Sequence, residues 1–202
     1  GAVLREDLLG SARFLARERR EVLDLLLYAA LVSFFIAGVA VVGLPYLVRS
    51  ELGLSAQVYG VVESAMGLAA ILGGLSVGLL PNVIPMRRLN RLVTAVGACM
   101  VLAGCGLVLP LGALGRCALL AAFFCAGQAG VSVFSIFAVS AIQQRTPEQM
   151  TGKVMACVST ISLCAQPLGQ LAYGLLFDAA AGSAWTVLLA TGAAVCALGG
   201  GS

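Results

Sequence analysis

Residues 73–80 read GGLSVGLL, and residues 169–176 read GQLAYGLL. Five of the eight positions are identical across a separation of 96 residues. A shorter echo precedes each copy in the same order, FFIAG at 34–38 and FFCAG at 123–127, 89 residues apart. Leu- and Gly-rich chains match themselves readily by chance, but two echoes in matched order point to an internal repeat. The difference between the two offsets is small enough for one longer loop to absorb. What the repeat means depends on the medium around the chain and on how often the chain crosses it between the copies.

The medium follows from composition. Of 202 residues, 60% are hydrophobic and 10% charged, and the mean hydropathy is +1.03. A soluble domain carries about 25% charged residues, so this chain lacks the polar surface to coat itself in water, and lipid is the expected solvent. A net charge of +3 offers no footprint for nucleic acid. Histidine is absent. The seven cysteines at 99, 105, 117, 125, 157, 164 and 196 lie scattered in apolar stretches, as small packing residues do. No metal site, cofactor or catalytic residue is assigned from this pattern.

About 20 apolar residues cross the hydrocarbon as a helix. Six candidate spans meet that need: 23–48, 57–80, 92–109, 117–142, 154–177 and 183–198. Short connections hold the charges and turn residues, such as PNVIPMRRLNR and QQRTPEQMTGK. The sixth span is short and runs into GGGS, so a cut end is expected there. With six spans, ten basic residues fall on one side: Arg5, Arg13, Arg17, Arg19, Arg20, Arg87, Arg88, Arg91, Arg145 and Lys153. Only Arg49 and Arg116 fall on the other. The positive-inside rule then places the N-terminus in the cytoplasm. Residues 1–22 are too charged to insert, and Leu4, Leu8, Leu15 and Val22 give them one apolar stripe. They read as a cytoplasmic amphipathic helix, either lying on the leaflet or acting as a plain linker.

The repeat now acquires geometry. The matching octapeptides lie in the second and fifth spans, three crossings apart, so the copies must run in opposite directions. The expected fold is all-α: a polytopic membrane domain over 23–202, made of two inverted three-helix repeats at about 23–109 and 117–198. Such inverted repeats are nested in secondary transporters.

Polar residues are unevenly spread along the spans. The third offers Thr94 and the sixth Thr186 and Thr191, whereas the second, fourth and fifth carry Glu63, Ser64, Gln128, Ser132, Ser135, Ser159, Thr160, Ser162, Gln166 and Gln170. Amides and carboxylates away from water need partners. These three helices are therefore expected to face each other or a wet cavity, with the third and sixth toward lipid. Glu63, Ser64, Gln128, Ser132, Gln166 and Gln170 form the candidate pathway for substrate and protons. An ionisable side chain at depth is costly and functional by default. Glu63 accordingly reads as a proton-coupling or cation-recognising group, or else as an acid bonded to a neighbouring helix or reaching outer water. For each glutamine alone, the competing reading is interhelical hydrogen bonding.

Ser162, Gln166, Gln170 and Gly174 recur every four residues along one face of the fifth span. Pro167 interrupts the backbone ladder of that helix, which suits a cavity wall that bends. Ala65, Ala69 and Gly73, Gly74 and Gly78, and Ala156, Thr160 and Cys164 form small-residue faces for close packing. TPEQ at 146–149 reads as a helix start capped by Thr146 and Gln149. Pro81, Pro85, Arg87, Arg88 and Arg91 read as a second cytoplasmic hinge, whose arginines can grip headgroups.

These residues resemble a known family. LGLSAQVYGVVESAMGLAAILGGLSVGLL, at 52–80, is similar to the eighth transmembrane helix and lead-in of the major facilitator superfamily. QQRTPEQMTGKVMACVST, at 143–160, resembles the loop before its eleventh helix, where P-x-x-x-R-G-R/K is usual. Gly152 and Lys153 fit that pattern, while Thr151 stands where the arginine belongs. The loop after Gly78 keeps a basic cluster but lacks the aspartate of the family's gating signature. The resemblance covers nearly the whole chain and implies the C-terminal half of a twelve-helix transporter, nearest to bacterial drug, macrolide and siderophore exporters. It implies that the first, second, fourth and fifth spans line the cavity, and that Gly78, Arg87, Arg88, Gly152, Lys153 and Pro167 serve gating or hinge roles.

The expected function is therefore secondary active export of a small amphipathic compound by alternating access, coupled to protons, in a bacterial inner membrane. The expected partners are lipid, the small-molecule substrate, protons, and a missing N-terminal six-helix half or a second copy. An enzyme would need a nucleophile–base pair or metal ligands at depth, which no histidine and one intramembrane acid cannot supply. A channel would show a filter-like ring or loop, and a non-transporting scaffold has no need of clustered glutamines.

Overall fold

The computed structural model describes residues 20–79, 86–146 and 148–200. Among them every regular element is helical. The amphipathic segment expected over 1–22 lies outside the described residues up to position 19, as do Pro81, Pro85 and Pro147. Helix α1, Arg20–Gly38, runs on through two widened π-type stretches, Val39–Gly43 and Tyr46–Glu51. Helix α2 is Ala56–Ser76 and closes in a tighter turn, Val77–Leu79. Then come α3 (Met86–Val108), α4 (Ala113–Arg145), α5 (Glu148–Ala179) and α6 (Ala184–Gly200). Five of these contain stretches long and apolar enough to cross a bilayer, and α6 is an apolar helix of 17 residues.

The helices run beyond the expected spans. Met86 begins α3, so Arg87, Arg88 and Arg91 occupy its first turns instead of a loop. After Pro85 no helix breaker intervenes, and Met, Arg and Leu are good helix formers. Similarly α4 starts at Ala113 and takes in Arg116, whose Nε donates to the Leu109 carbonyl at 3.0 Å and ties the turn to the end of α3. Turns depend on single residues elsewhere. Gly53 has φ +63° and Gly182 φ +80°, a region that side chains disfavour. Ser55 caps α2 by accepting from the Val58 amide. Thr146 closes α4, its hydroxyl turning back to donate to the Ile142 carbonyl at 2.7 Å, while Pro147 and the Gln149 side chain of its expected capping box lie outside the described residues. The last turn of a helix leaves carbonyls without partners, and Thr146 satisfies one of them.

Close approaches at glycines define how the helices run. Gly169 of α5 lies against the Phe34 carbonyl of α1, Gly38 against Tyr173, and Gly43 against Phe177, so both numbers rise together and α1 and α5 are parallel. Gly73 of α2 lies against Ala129 of α4, where an added Cβ would sit 2.5 Å from the carbonyl oxygen; Gly74 faces Ile136, and these helices are parallel too. The most extensive pair, α3 with α6, is antiparallel. There Gly104 meets Trp185, Gly97 meets Gly192 and Cys196, and Asn90 meets Gly199. Helix α4 lies against both α2 and α3. The core is filled by fully buried Leu44, Leu47, Leu89, Leu120, Phe177 and Leu188.

The small-residue expectation fares unevenly. Gly73 and Gly74 do meet a neighbouring helix, but Ala156, Thr160 and Cys164 are exposed, and the most extensive seam runs through Gly97, Gly192 and Gly199. The outer surface is apolar: Val61, Leu68 and Leu75 of α2 and Leu163, Leu168 and Leu171 of α5 are all more than half exposed. Aliphatic side chains presented this way are at rest in hydrocarbon and not in water. The chain is a multi-pass membrane protein.

Candidate functional site

A cavity of about 360 Å³ opens between α1, α4 and α5. It follows α1 from Ala29 to Val41, α4 from Gln128 to Ile142 and α5 from Val158 to Gln166. The parallel pairing of α1 with α5 creates this space, because Gly169 and Gly38 bring the two helices together beyond it. At the end nearest the α4–α5 connection, Ile142, Val154 and Val158 pack into a separate apolar cluster that joins α4 to α5. Gln128 also borders a second, smaller void of about 20 Å³ among α1 to α4. That void is lined by Met66, Val96, Phe123 and other apolar groups, and has room for about one water.

Five polar side chains line the larger cavity: Ser33, Gln128, Ser135, Ser162 and Gln166. Among the described residues, none of the five makes a hydrogen bond to protein. Several hydroxyls outside it are satisfied locally, although those of Tyr28, Ser132 and Ser159 are not. Ser64 donates to the Gly60 carbonyl, Ser76 to Gly73, Thr94 to Asn90 and Thr160 to Ala156, each satisfied by its own helix. The cavity therefore concentrates unspent donor and acceptor capacity, which is chemistry suited to a ligand or to water. The remaining lining is aliphatic apart from Phe134, and among the described residues no charged side chain belongs to it. Phe134 takes the edge of the Tyr28 ring, at 5.9 Å between centroids.

Of the residues singled out from sequence, Gln128 and Gln166 thus come together. The others occupy different settings. Glu63 is exposed on α2 and its side chain interacts with Tyr59, one turn earlier. Ser64 is bonded to its own helix, and Ser132 and Gln170 are half-buried on α4 and α5, outside the cavity lining. Pro167 is exposed at the middle of α5, next to Gln166. Gly78 and Gly152 are exposed near helix ends, and Arg87 and Arg88 are exposed at the start of α3. The side chain of Lys153 lies outside the described residues. Helix α1, not α2, supplies the third wall, and its interior serine, Ser33, is the sequence signal for it. The buried link between the Tyr173 hydroxyl and Thr191 Oγ1, 2.8 Å across α5 and α6, was not legible from spacing.

No curated protein and no solved structure matches this chain. A family profile described as Major Facilitator Superfamily matches residues 4–170. With that match, with helices long and apolar enough to span a bilayer and with a cavity between three of them, the chain belongs to the major facilitator superfamily of membrane transporters.

Proposed function

We propose that the chain is the C-terminal six-helix half of a secondary active exporter that moves a small amphipathic compound by alternating access, driven by protons. The observation that carries this reading is the cavity between α1, α4 and α5, where five polar side chains have no protein partner. In this reading the basic ends of α2–α3 and α4–α5 face the cytoplasm of a bacterial inner membrane. Six helices supply one wall, and the other comes from an N-terminal half or a second copy.

Two inverted repeats are part of the proposal. The first glycine of each matching octapeptide supports it: Gly73 touches the backbone of α4 and Gly169 that of α1, the same contact in each copy. Under this symmetry the small apolar void beside Met66 and Phe123 is the narrow counterpart of the larger cavity. Exchanging the two would carry the substrate from one side to the other. Glu63 is assigned the proton, on the ground that it is an exposed acid well inside a span.

The test is export from cells lacking their own exporters, loaded with a panel of amphipathic dyes. The complete protein should lower the accumulation of at least one dye, and a protonophore should reverse this. Glu63→Gln should abolish the proton-driven component at normal expression, and joint replacement of Gln128 and Gln166 by Ala should abolish export altogether. Dye levels unaffected by the protein would remove the export reading.

A further inference from the structure

The character of the group that this half contacts can be read from its cavity wall. We infer, resting on the transport reading above, that this half recognises an uncharged molecule bearing hydrogen-bond donors and acceptors, held by the amides of Gln128 and Gln166. Each amide offers two donors and one acceptor carbonyl, and Ser33, Ser135 and Ser162 add three hydroxyls, all without protein partners. Among the described residues, nothing in the lining offers a counter-charge. Of the charged residues whose side chains are described, Arg49 and Glu51 sit at the far end of α1, Glu63 lies on α2, Arg87, Arg88 and Arg91 begin α3, Arg116 begins α4 and Asp178 ends α5. None of these lines the cavity. Hydrocarbon flanks the site, and a charge held there without a partner is strongly disfavoured, whereas a neutral polar group loses little when amides replace its water. Aliphatic lining beside the five polar groups suits the apolar part of the same molecule.

Charged and neutral probes of one size test this directly. The complete protein in nanodiscs, carrying S162C, is treated with three methanethiosulfonates: the neutral hydroxyethyl, the anionic sulfonatoethyl and the cationic trimethylammonioethyl reagents. Labelling is read peptide by peptide by mass spectrometry, so that native cysteines serve as internal references. Rates are normalised to Q57C at the exposed start of α2. The hydroxyethyl reagent should label S162C at least about tenfold faster than either charged reagent. A smaller preference would overturn the inference and leave the transport reading standing. Failure of all three at S162C while Q57C labels would instead remove the cavity as a pathway. S135C, on the opposite wall, should repeat the pattern if S162C does not fold.

Discussion

Tyr28 and Tyr173 pose the same chemical problem with opposite outcomes. The Tyr28 hydroxyl is buried with no hydrogen-bond partner, while the Tyr173 hydroxyl shares a 2.8 Å hydrogen bond with Thr191. An unsatisfied buried hydroxyl costs about 1–3 kcal/mol, and a made bond returns about 1. Tyr28→Phe should therefore leave folding unharmed or raise stability by about 1 kcal/mol, since the ring keeps its edge contact with Phe134. Tyr173→Phe should lower stability by about 1–2 kcal/mol, because Thr191 is then stranded between two helices. Thermal unfolding in detergent, followed by a tryptophan or thiol-reactive probe, separates the two. Equal losses would mean that ring packing, not the hydroxyl, decides both sites. Sequence could not have told these tyrosines apart. Both are aromatic residues in apolar runs, and only the position of Thr191, eighteen residues beyond Tyr173 on another helix, makes the difference.

At the scale of the helix, backbone approach and backbone breakage govern. The matching octapeptides stand out because their glycines recur in the sequence, yet which glycine touches a neighbour was not legible there. Gly169 meets the Phe34 backbone, whereas Gly174, one turn further along, has nothing within 4 Å of an added Cβ. Replacing Gly169 or Gly73 by Leu should cost at least about 3 kcal/mol by driving parallel helices apart. Gly174→Ala should be neutral or gain up to about 1 kcal/mol from reduced backbone freedom. Membrane yield and melting temperature check the contrast, and equal tolerance at 169 and 174 would refute the packing.

Pro167 acts along the same helix in the opposite sense. Lacking an N–H, it leaves the Leu163 carbonyl without its helical partner, beside cavity-lining Gln166. Pro167→Ala should stiffen α5, raise stability by up to about 3 kcal/mol and slow export turnover, with little change in apparent substrate affinity. Turnover unchanged in the stabilised variant would deny the bend any part in the cycle. The glutamines on this helix were readable as a stripe from their spacing of four. Depth decided which of them face the cavity: the space ends near Gln166, so Gln170 lies outside its lining.

Across the whole molecule, the exposed surface carries the argument for lipid. In a water-soluble protein an exposed leucine is replaceable by arginine with little loss, often with a gain in solubility. Here Leu68 and Leu168, 63% and 61% exposed, lie near the middle of the spans Ala56–Leu79 and Val154–Ala179. Leu79, 91% exposed, lies at the very end of the first of these. An arginine at the centre of a span costs about 2.5–3.5 kcal/mol on insertion scales, and one at the end can extend its charge into the headgroups at little cost. Leu68→Arg and Leu168→Arg should therefore reduce membrane-inserted yield several-fold, while Leu79→Arg should match the parent. Fractionation of membranes with quantitative blotting reads the series. Depth-independent tolerance would show that these helices do not cross hydrocarbon, and the cavity between α1, α4 and α5 would then be an ordinary cleft in water, with its five polar side chains satisfied by solvent alone.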